Sequence, residues 1–195
     1  MEETFTNVYN RNEWLVDSGP GSTIEYNINF YIPFLRNFIL DNQIKHITDL
    51  GCGDFKCGKL IYDDLDIKYV GYDCVYNNII NKHLLNYDGH DKFQFIHSDI
   101  LNKKEDIIGG DLCILKDILC HWKLNNIYTF LDYLVESKKF KYILIINCCG
   151  QIEDNTDIHD NGNFHSLSCE YYPLKKYNIT KLCNYNSKEI SLILI

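Results

Sequence analysis

Five short segments, Ile44 to Leu50, Lys68 to Asp73, Phe93 to His97, Asp111 to Lys116 and Tyr142 to Cys148, carry the apolar density and length of β-strands. The last two are almost unbroken apolar runs, as strands buried on both faces are. Between them the period changes to that of helices. Tyr26, Phe30, Phe34 and Phe38 form one line and Ile28, Tyr31, Leu35 and Ile39 its neighbour, which predicts a helix over Thr23 to Asp41 with one apolar face. Pro33 inside it predicts a kink or interruption. Phe55 to Leu65 and Tyr76 to Tyr87 read as helices, and Asn125 to Glu136 as an amphipathic one with Ile127, Phe130, Leu131 and Leu134 on one side. Strands alternating with helices predict an α/β protein with a doubly wound, mostly parallel sheet. The tail departs from that rhythm. Cys149 to Tyr172 is polar and predicts a long loop. Ile179 to Tyr185 and Ile190 to Ile195, joined by Asn186-Ser187-Lys188, predict a C-terminal antiparallel hairpin.

The N-terminal stretch, Met1 to Asp17, is polar with scattered Phe5, Tyr9 and Trp14 and reads as an arm or short helix. Ser18-Gly19-Pro20-Gly21-Ser22-Thr23 follows. Two glycines around a proline dictate a tight turn, and Ser22 or Thr23 is placed to cap the helix after it.

Composition narrows the class. With 195 residues, 46% apolar and 24% charged, the chain is one soluble globular domain. A net charge of -8, with arginine only at Arg11 and Arg36, disfavours a nucleic-acid partner, which needs clustered cations. No run reaches the ~18 apolar residues of a membrane span. Nine scattered cysteines, an odd number, read as small buried hydrophobes in a reducing, cytoplasmic compartment rather than as a disulfide framework.

The candidate chemistry starts at Asp49-Leu50-Gly51-Cys52-Gly53-Asp54. A strand that breaks into glycines lets a ligand approach the backbone, at the sheet edge where open α/β sheets bind ligands. Taken alone, Gly-x-Gly is also an ordinary strand-to-helix turn. The dinucleotide fingerprint requires a third glycine where Lys56 stands, and Asp49 two positions before Gly51 suits a cationic ligand rather than a phosphate. Asp73, ending the next strand, stands where a carboxylate accepts both ribose hydroxyls. The fourth strand delivers Lys116-Asp117-Ile118-Leu119-Cys120-His121-Trp122 to the same edge. If that segment is helical, Asp117 and His121 share a face, and the pair reads as an oriented general base. The competing readings are a core histidine beside a capping aspartate, and substrate binding without proton transfer. Asp154, Asp157, His159 and Asp160 in the long loop have no regular metal-ligand spacing, so no metal is expected.

On these residues the chain resembles the class I S-adenosylmethionine-dependent methyltransferases, which have an Asp-x-Gly-x-Gly first motif and a Rossmann-like sheet. It is similar in particular to small stand-alone members with an N-terminal Trp, a Ser-Gly-Pro-Gly-Ser turn, Asp-x-Gly-Cys-Gly-Asp, Tyr-x-Gly-x-Asp and Arg-Asp-x-Leu-x-His. Lys116 replaces the Arg, keeping the charge without the bidentate fork. The resemblance implies S-adenosyl-L-methionine as cofactor. It implies contacts from Trp14, Ser18, Gly19, Ser22, Asp49, Gly51, Cys52, Gly53, Asp73, Cys74 and Lys116, and from Ser98, Asp99 and Ile100 around the adenine. Residues 1–22 then form an arm and turn over the cofactor site, and 23–195 the methyltransferase domain. The implied reaction is methyl transfer to a small-molecule or saccharide acceptor, at oxygen, with His121 and Asp117 catalytic. The alternatives are a protein or RNA methyltransferase, a catalytically silent binding module and a nicotinamide dehydrogenase.

Overall fold

The computed structural model describes residues 1–15, 17–87 and 89–195. Val16, within the predicted arm, and Asp88 lie outside the described residues. Seven strands form one sheet in the order β3-β2-β1-β4-β5-β7-β6. They are β1 (His46–Leu50), β2 (Lys68–Asp73), β3 (Phe93–His97), β4 (Gly110–Lys116), β5 (Phe140–Cys148), β6 (Ile179–Tyr185) and β7 (Lys188–Leu194). The first five are parallel, and β7 pairs antiparallel with both β5 and β6. The chain thus has the doubly wound, Rossmann-like architecture with its closing hairpin. The order reverses between β1 and β4, which opens a crevice at their carboxyl ends.

Alternate residues of each strand feed two cores. On one face Ile47, Tyr69, Leu112, Ile114, Leu144 and Ile146 pack against α3 (Tyr31–Asp41) and α4 (Gly58–Tyr62); on the other, Leu50, Cys113, Leu115, Ile143 and Ile145 meet Phe130, Leu131 and Leu134 of α6 (Leu124–Ser137). Leu35, Leu112, Phe130 and Leu144 are wholly buried. Burial on both faces is why β4 and β5 carry unbroken apolar sequence.

Three elements differ from their sequence patterns for identifiable reasons. The helix predicted over Thr23 to Asp41 is two helices, α2 (Ile24–Asn27) and α3, broken at 28–30. The proline ring clashes with the carbonyl four residues back, so the helix restarts at Tyr31 and leaves Pro33 in a first turn, where a missing N–H costs nothing. Thr23, not Ser22, caps α2 by accepting from the Tyr26 amide. The helix predicted from Phe55 shrinks to α4 because Phe55 takes a left-handed φ of 54°. Its ring turns inward among Tyr62, Tyr69, Phe93 and Phe95. A β-carbon on Gly58 would lie 2.2 Å from that ring, so Phe55 dictates the glycine. The predicted 76–87 helix is present as a π-turn at Tyr76–Ile80 continuing into α5 (Asn81–Tyr87).

The N-terminal arm contains a helix, α1 (Glu2–Asn10). The long loop after β5 spends its polar side chains on neighbouring backbone. Asp157 and Asn161 accept from the Leu124 and Lys123 amides at the start of α6, and Asp154 accepts from the Tyr172 amide. Among the described residues no group of three or more His, Cys, Asp or Glu is arranged to hold a metal ion, and no helix is long and apolar enough to cross a membrane. The cysteines are all unpaired, but only Cys113 and Cys120 are fully buried. Cys52, Cys57, Cys74 and Cys148 are partly buried and line a cavity, and the first three also pack against the core.

Candidate functional site

That cavity, of about 460 Å³, opens at the carboxyl ends of β1, β2 and β4. Every residue singled out from the sequence, from Trp14 to His121, lines it. Gly51 and Gly53 adopt φ of 80° and 53°, conformations that a side chain strains. A β-carbon on Gly51 would also meet Ile118 at 2.6 Å, and one on Gly53 would meet the Ser18 hydroxyl at 2.7 Å. The loop is held from three sides. The Gly51 and Cys52 amides both donate to the Tyr72 carbonyl, His83 Nε2 donates to the Gly53 carbonyl at 2.7 Å, and the Gly53 amide donates to Asp73 Oδ2 at 3.1 Å.

The turn at Ser18 to Ser22 is clasped to this loop. Ser18 Oγ accepts from the Asp54 amide at 2.8 Å, while Asp54 Oδ2 accepts from the Ser18 amide and the Ser22 hydroxyl. Tyr9 of α1 joins the same node through its hydroxyl, 2.7 Å from Ser18 Oγ. Asp17 and Lys56 form an ion pair above it.

Two carboxylates at the strand ends carry perturbed acidities. Burial pushes Asp49 up to about 6 against the pull of the Tyr69 hydroxyl, which donates to it at 2.8 Å. Burial likewise raises Asp73 to about 6, opposed by the Val75 and Gly53 amides. Asp99 organises its own turn by accepting from the Leu101 amide and the Asn102 side chain, and lies 3.3 Å from the Met1 amino nitrogen. Ser98 and Ile100 flank it, both buried.

Beyond Gly51 the chemistry changes. Asp117, at a φ of 58°, accepts from Lys116 Nζ at 2.8 Å and from Lys188 Nζ of β7. Burial would raise the Asp117 carboxyl, but the two ammonium groups outweigh it and hold the group below its ordinary range. Lys116 Nζ also donates to the Gly21 carbonyl at 2.8 Å, which ties the 18–23 turn to the end of β4. Lys188 is only 3% exposed. Burial alone would lower its ammonium, yet the Asp117 charge keeps it above the usual lysine value.

His121 does not meet Asp117. The left-handed Asp117 and the 3₁₀ turn at Leu119–His121 replace the α-turn that would align them. The imidazole Nδ1 instead lies 3.0 Å from the Asn163 carbonyl. A carbonyl only accepts, so Nδ1 carries the proton and Nε2 presents a lone pair. Burial lowers the imidazolium pKa below its ordinary value, which favours the neutral ring.

No family model matches the chain, and no curated protein does. Solved structures do. The methyltransferase domain of bacterial CtHen1 aligns with a TM-score of 0.65 at 12% identity, over 84% of this chain and 97% of that one. The N-methyltransferase NodS from Bradyrhizobium japonicum, in complex with S-adenosyl-L-homocysteine, gives 0.64 at 11% identity over 95% and 97%. An O-methyltransferase family protein from Burkholderia thailandensis gives 0.61 at 10% identity over 97% and 69%. The chain has the methyltransferase fold.

Around this fold's cavity several residues carry no isolated signal in the sequence. Asp54 closes the first motif and its carboxylate holds the Ser18 turn, a role foreshadowed only by its place in the motif. Phe5, Tyr9 and Phe164 enter from the arm and the long loop and Lys188 from the hairpin, while the Asn163 carbonyl holds His121 from outside the lining, all from segments with no pattern pointing to the site.

Proposed function

We propose that this protein is an S-adenosylmethionine-dependent methyltransferase acting on a small-molecule or saccharide acceptor at oxygen. The observation that carries this reading is the pairing of the left-handed Gly51–Gly53 loop with the buried Asp73 carboxylate across one cavity. Asp73 keeps lone pairs beyond those used by Gly53 and Val75, and these accept from the two ribose hydroxyls. Asp49 supplies a carboxylate toward the cationic sulfonium and ammonium side of the donor. Ser98, Asp99 and Ile100 take the adenine, while Trp14, Ser18, Gly19 and Ser22 cover the donor from the arm and turn. Cys52 and Cys74 pack beside it. Lys116 offers its ammonium to the donor carboxylate. The donor supplies an activated methyl group, and the residues around it align the acceptor within ~3–3.5 Å and exclude water.

His121 is the general base of this reading. Its neutral ring, fixed by the Asn163 carbonyl, takes the acceptor's proton at Nε2. Asp117 acts through its lysine partners, as the counter-charge between Lys116 and Lys188. His121→Gln is expected to reduce turnover by ~10²–10⁴-fold while the affinity for S-adenosylhomocysteine stays within about twofold. Equal losses in both would assign His121 to donor binding instead.

A further inference from the structure

The acceptor end of the cavity is walled by aromatic side chains from three distant segments. Phe5 and Trp14 come from the N-terminal arm, His121 from the end of β4, and Phe164 from the loop after β5. Their rings form a continuous chain. Phe5 and Trp14 lie 6.2 Å apart, Trp14 and His121 5.6 Å, Phe5 and His121 6.0 Å, and His121 and Phe164 5.9 Å. Phe164 is 54% exposed, a large apolar ring left open to solvent at the mouth of the cavity.

The polar side chains near this wall are spoken for. Both Asp117 oxygens accept from lysines, Lys116 is shared between Asp117 and Gly21, and Ser22 donates to Gly19 and Asp54. His121 Nε2 has no hydrogen-bond partner among the described residues; His165 Nε2 nearby is also unpartnered but does not line the cavity. One acceptor without a protein partner, beside an aromatic wall and a carboxylate already neutralised by two lysines, fits a flat apolar molecule with a single acidic hydroxyl. It fits a saccharide poorly, because each sugar hydroxyl that leaves water needs a partner of its own.

We propose that the acceptor is an aryl hydroxyl, a phenol or naphthol whose ring lies against Phe5, Trp14, His121 and Phe164 and whose oxygen faces His121 Nε2. This rests on the methyl-transfer reading above and selects among its acceptors. The step balances. The hydroxyl proton passes to His121 Nε2, an oxygen lone pair forms the new O–CH₃ bond, and the electrons of the broken S–CH₃ bond remain on sulfur, turning the sulfonium into a neutral thioether. An aryl hydroxyl ionises near pH ~10, as tyrosine does, which places its proton within reach of a neutral imidazole during transfer.

The test uses the whole chain saturated with S-adenosylhomocysteine. Phenols, naphthols and methyl glycosides are titrated in, following heat and tryptophan emission. Trp14 belongs to the wall, and Trp122, 2% exposed, also lines the cavity, so emission is compared between the wild type and Trp14→Phe to assign a change to the wall. The expected result is at least one phenol or naphthol binding roughly tenfold more tightly than every glycoside, and giving an aryl methyl ether by mass spectrometry when S-adenosylmethionine replaces the product. Phe164→Ala, at an exposed site where folding is not at stake, is expected to weaken that binding about fivefold with S-adenosylhomocysteine affinity unchanged. A glycoside binding as well as the aryl compounds, or no aryl compound binding to the loaded protein, overturns the proposal. So does an unaltered affinity in Phe164→Ala. Failure of S-adenosylhomocysteine itself to bind shows in the first titration and overturns the donor reading instead.

Discussion

The two ends of the cavity are built in different ways. At the glycine-loop end the groups come from strand tips and the residues just past them, and backbone amides do much of the holding: Gly53 and Val75 on Asp73, Leu101 on Asp99. At the other end side chains meet across the chain. Lys188 reaches Asp117 from 71 positions away, and Asn163 holds His121 from 42 away. A site made of strand tips inherits its precision from the sheet. One made of arm, loop and hairpin is free to change its contents while the sheet stays the same.

The contrast is most sharply broken at Lys188. Lys188→Met leaves the partly buried Asp117 with Lys116 alone, and the expected loss is ~2 kcal/mol in denaturant unfolding, since the carboxylate loses the more deeply buried of its two partners. A loss under ~1 kcal/mol would show that the acceptor end does not depend on its long-range charges.

At the other end the expected sign is reversed. Asp49 is held at about 6 in the folded chain against an ordinary 3.8, so its ionised form is a burden on the free protein. Asp49→Asn keeps an oxygen for the Tyr69 hydroxyl and is expected to stabilise the ligand-free protein at pH 7 by ~1–3 kcal/mol. The same change is expected to weaken donor binding, measured by titration calorimetry. A variant both less stable and unchanged in affinity would remove Asp49 from the site.

A smaller effect follows from pH. Asp49 and Asp73, both near 6, bind protons more tightly folded than unfolded, so their ionisation lowers the stability of the free protein as pH rises from 3.8 to about 6. In the proposed reading donor affinity runs the opposite way, because the two carboxylates are assigned as the donor's partners. It is expected to fall several-fold between pH 7 and pH 5 in calorimetric titrations, and a flat profile would take both carboxylates out of donor binding.

The same contrast explains what was legible in the sequence. The five parallel strands, the closing hairpin and the glycine loop follow from local pattern, since each strand's burial is written in its own residues and Gly51 and Gly53 are required where φ is positive. Asp73 follows from its place at the tip of β2. His121 and Asp117 were legible as residues but not as a pair, because their geometry depends on a left-handed Asp117 that no spacing reveals. Phe55 is similar: its ring is drawn into an aromatic cluster by β2 and β3, against the helical period of its own segment. Lys188, placed by the sequence in the link of the hairpin, is the first residue of β7 and only 3% exposed, because Asp117 and the Tyr26 ring enclose its ammonium.

Calorimetric titration of the wild-type chain and of Asp73→Ala with S-adenosylhomocysteine, beside NAD, tests the central assignment most directly. Saturable binding of S-adenosylhomocysteine to the wild type is predicted, weakened at least about tenfold in Asp73→Ala by loss of the ribose hydrogen bonds, with no heat from NAD. Binding of NAD alone, or equal binding of S-adenosylhomocysteine to both chains, would contradict it.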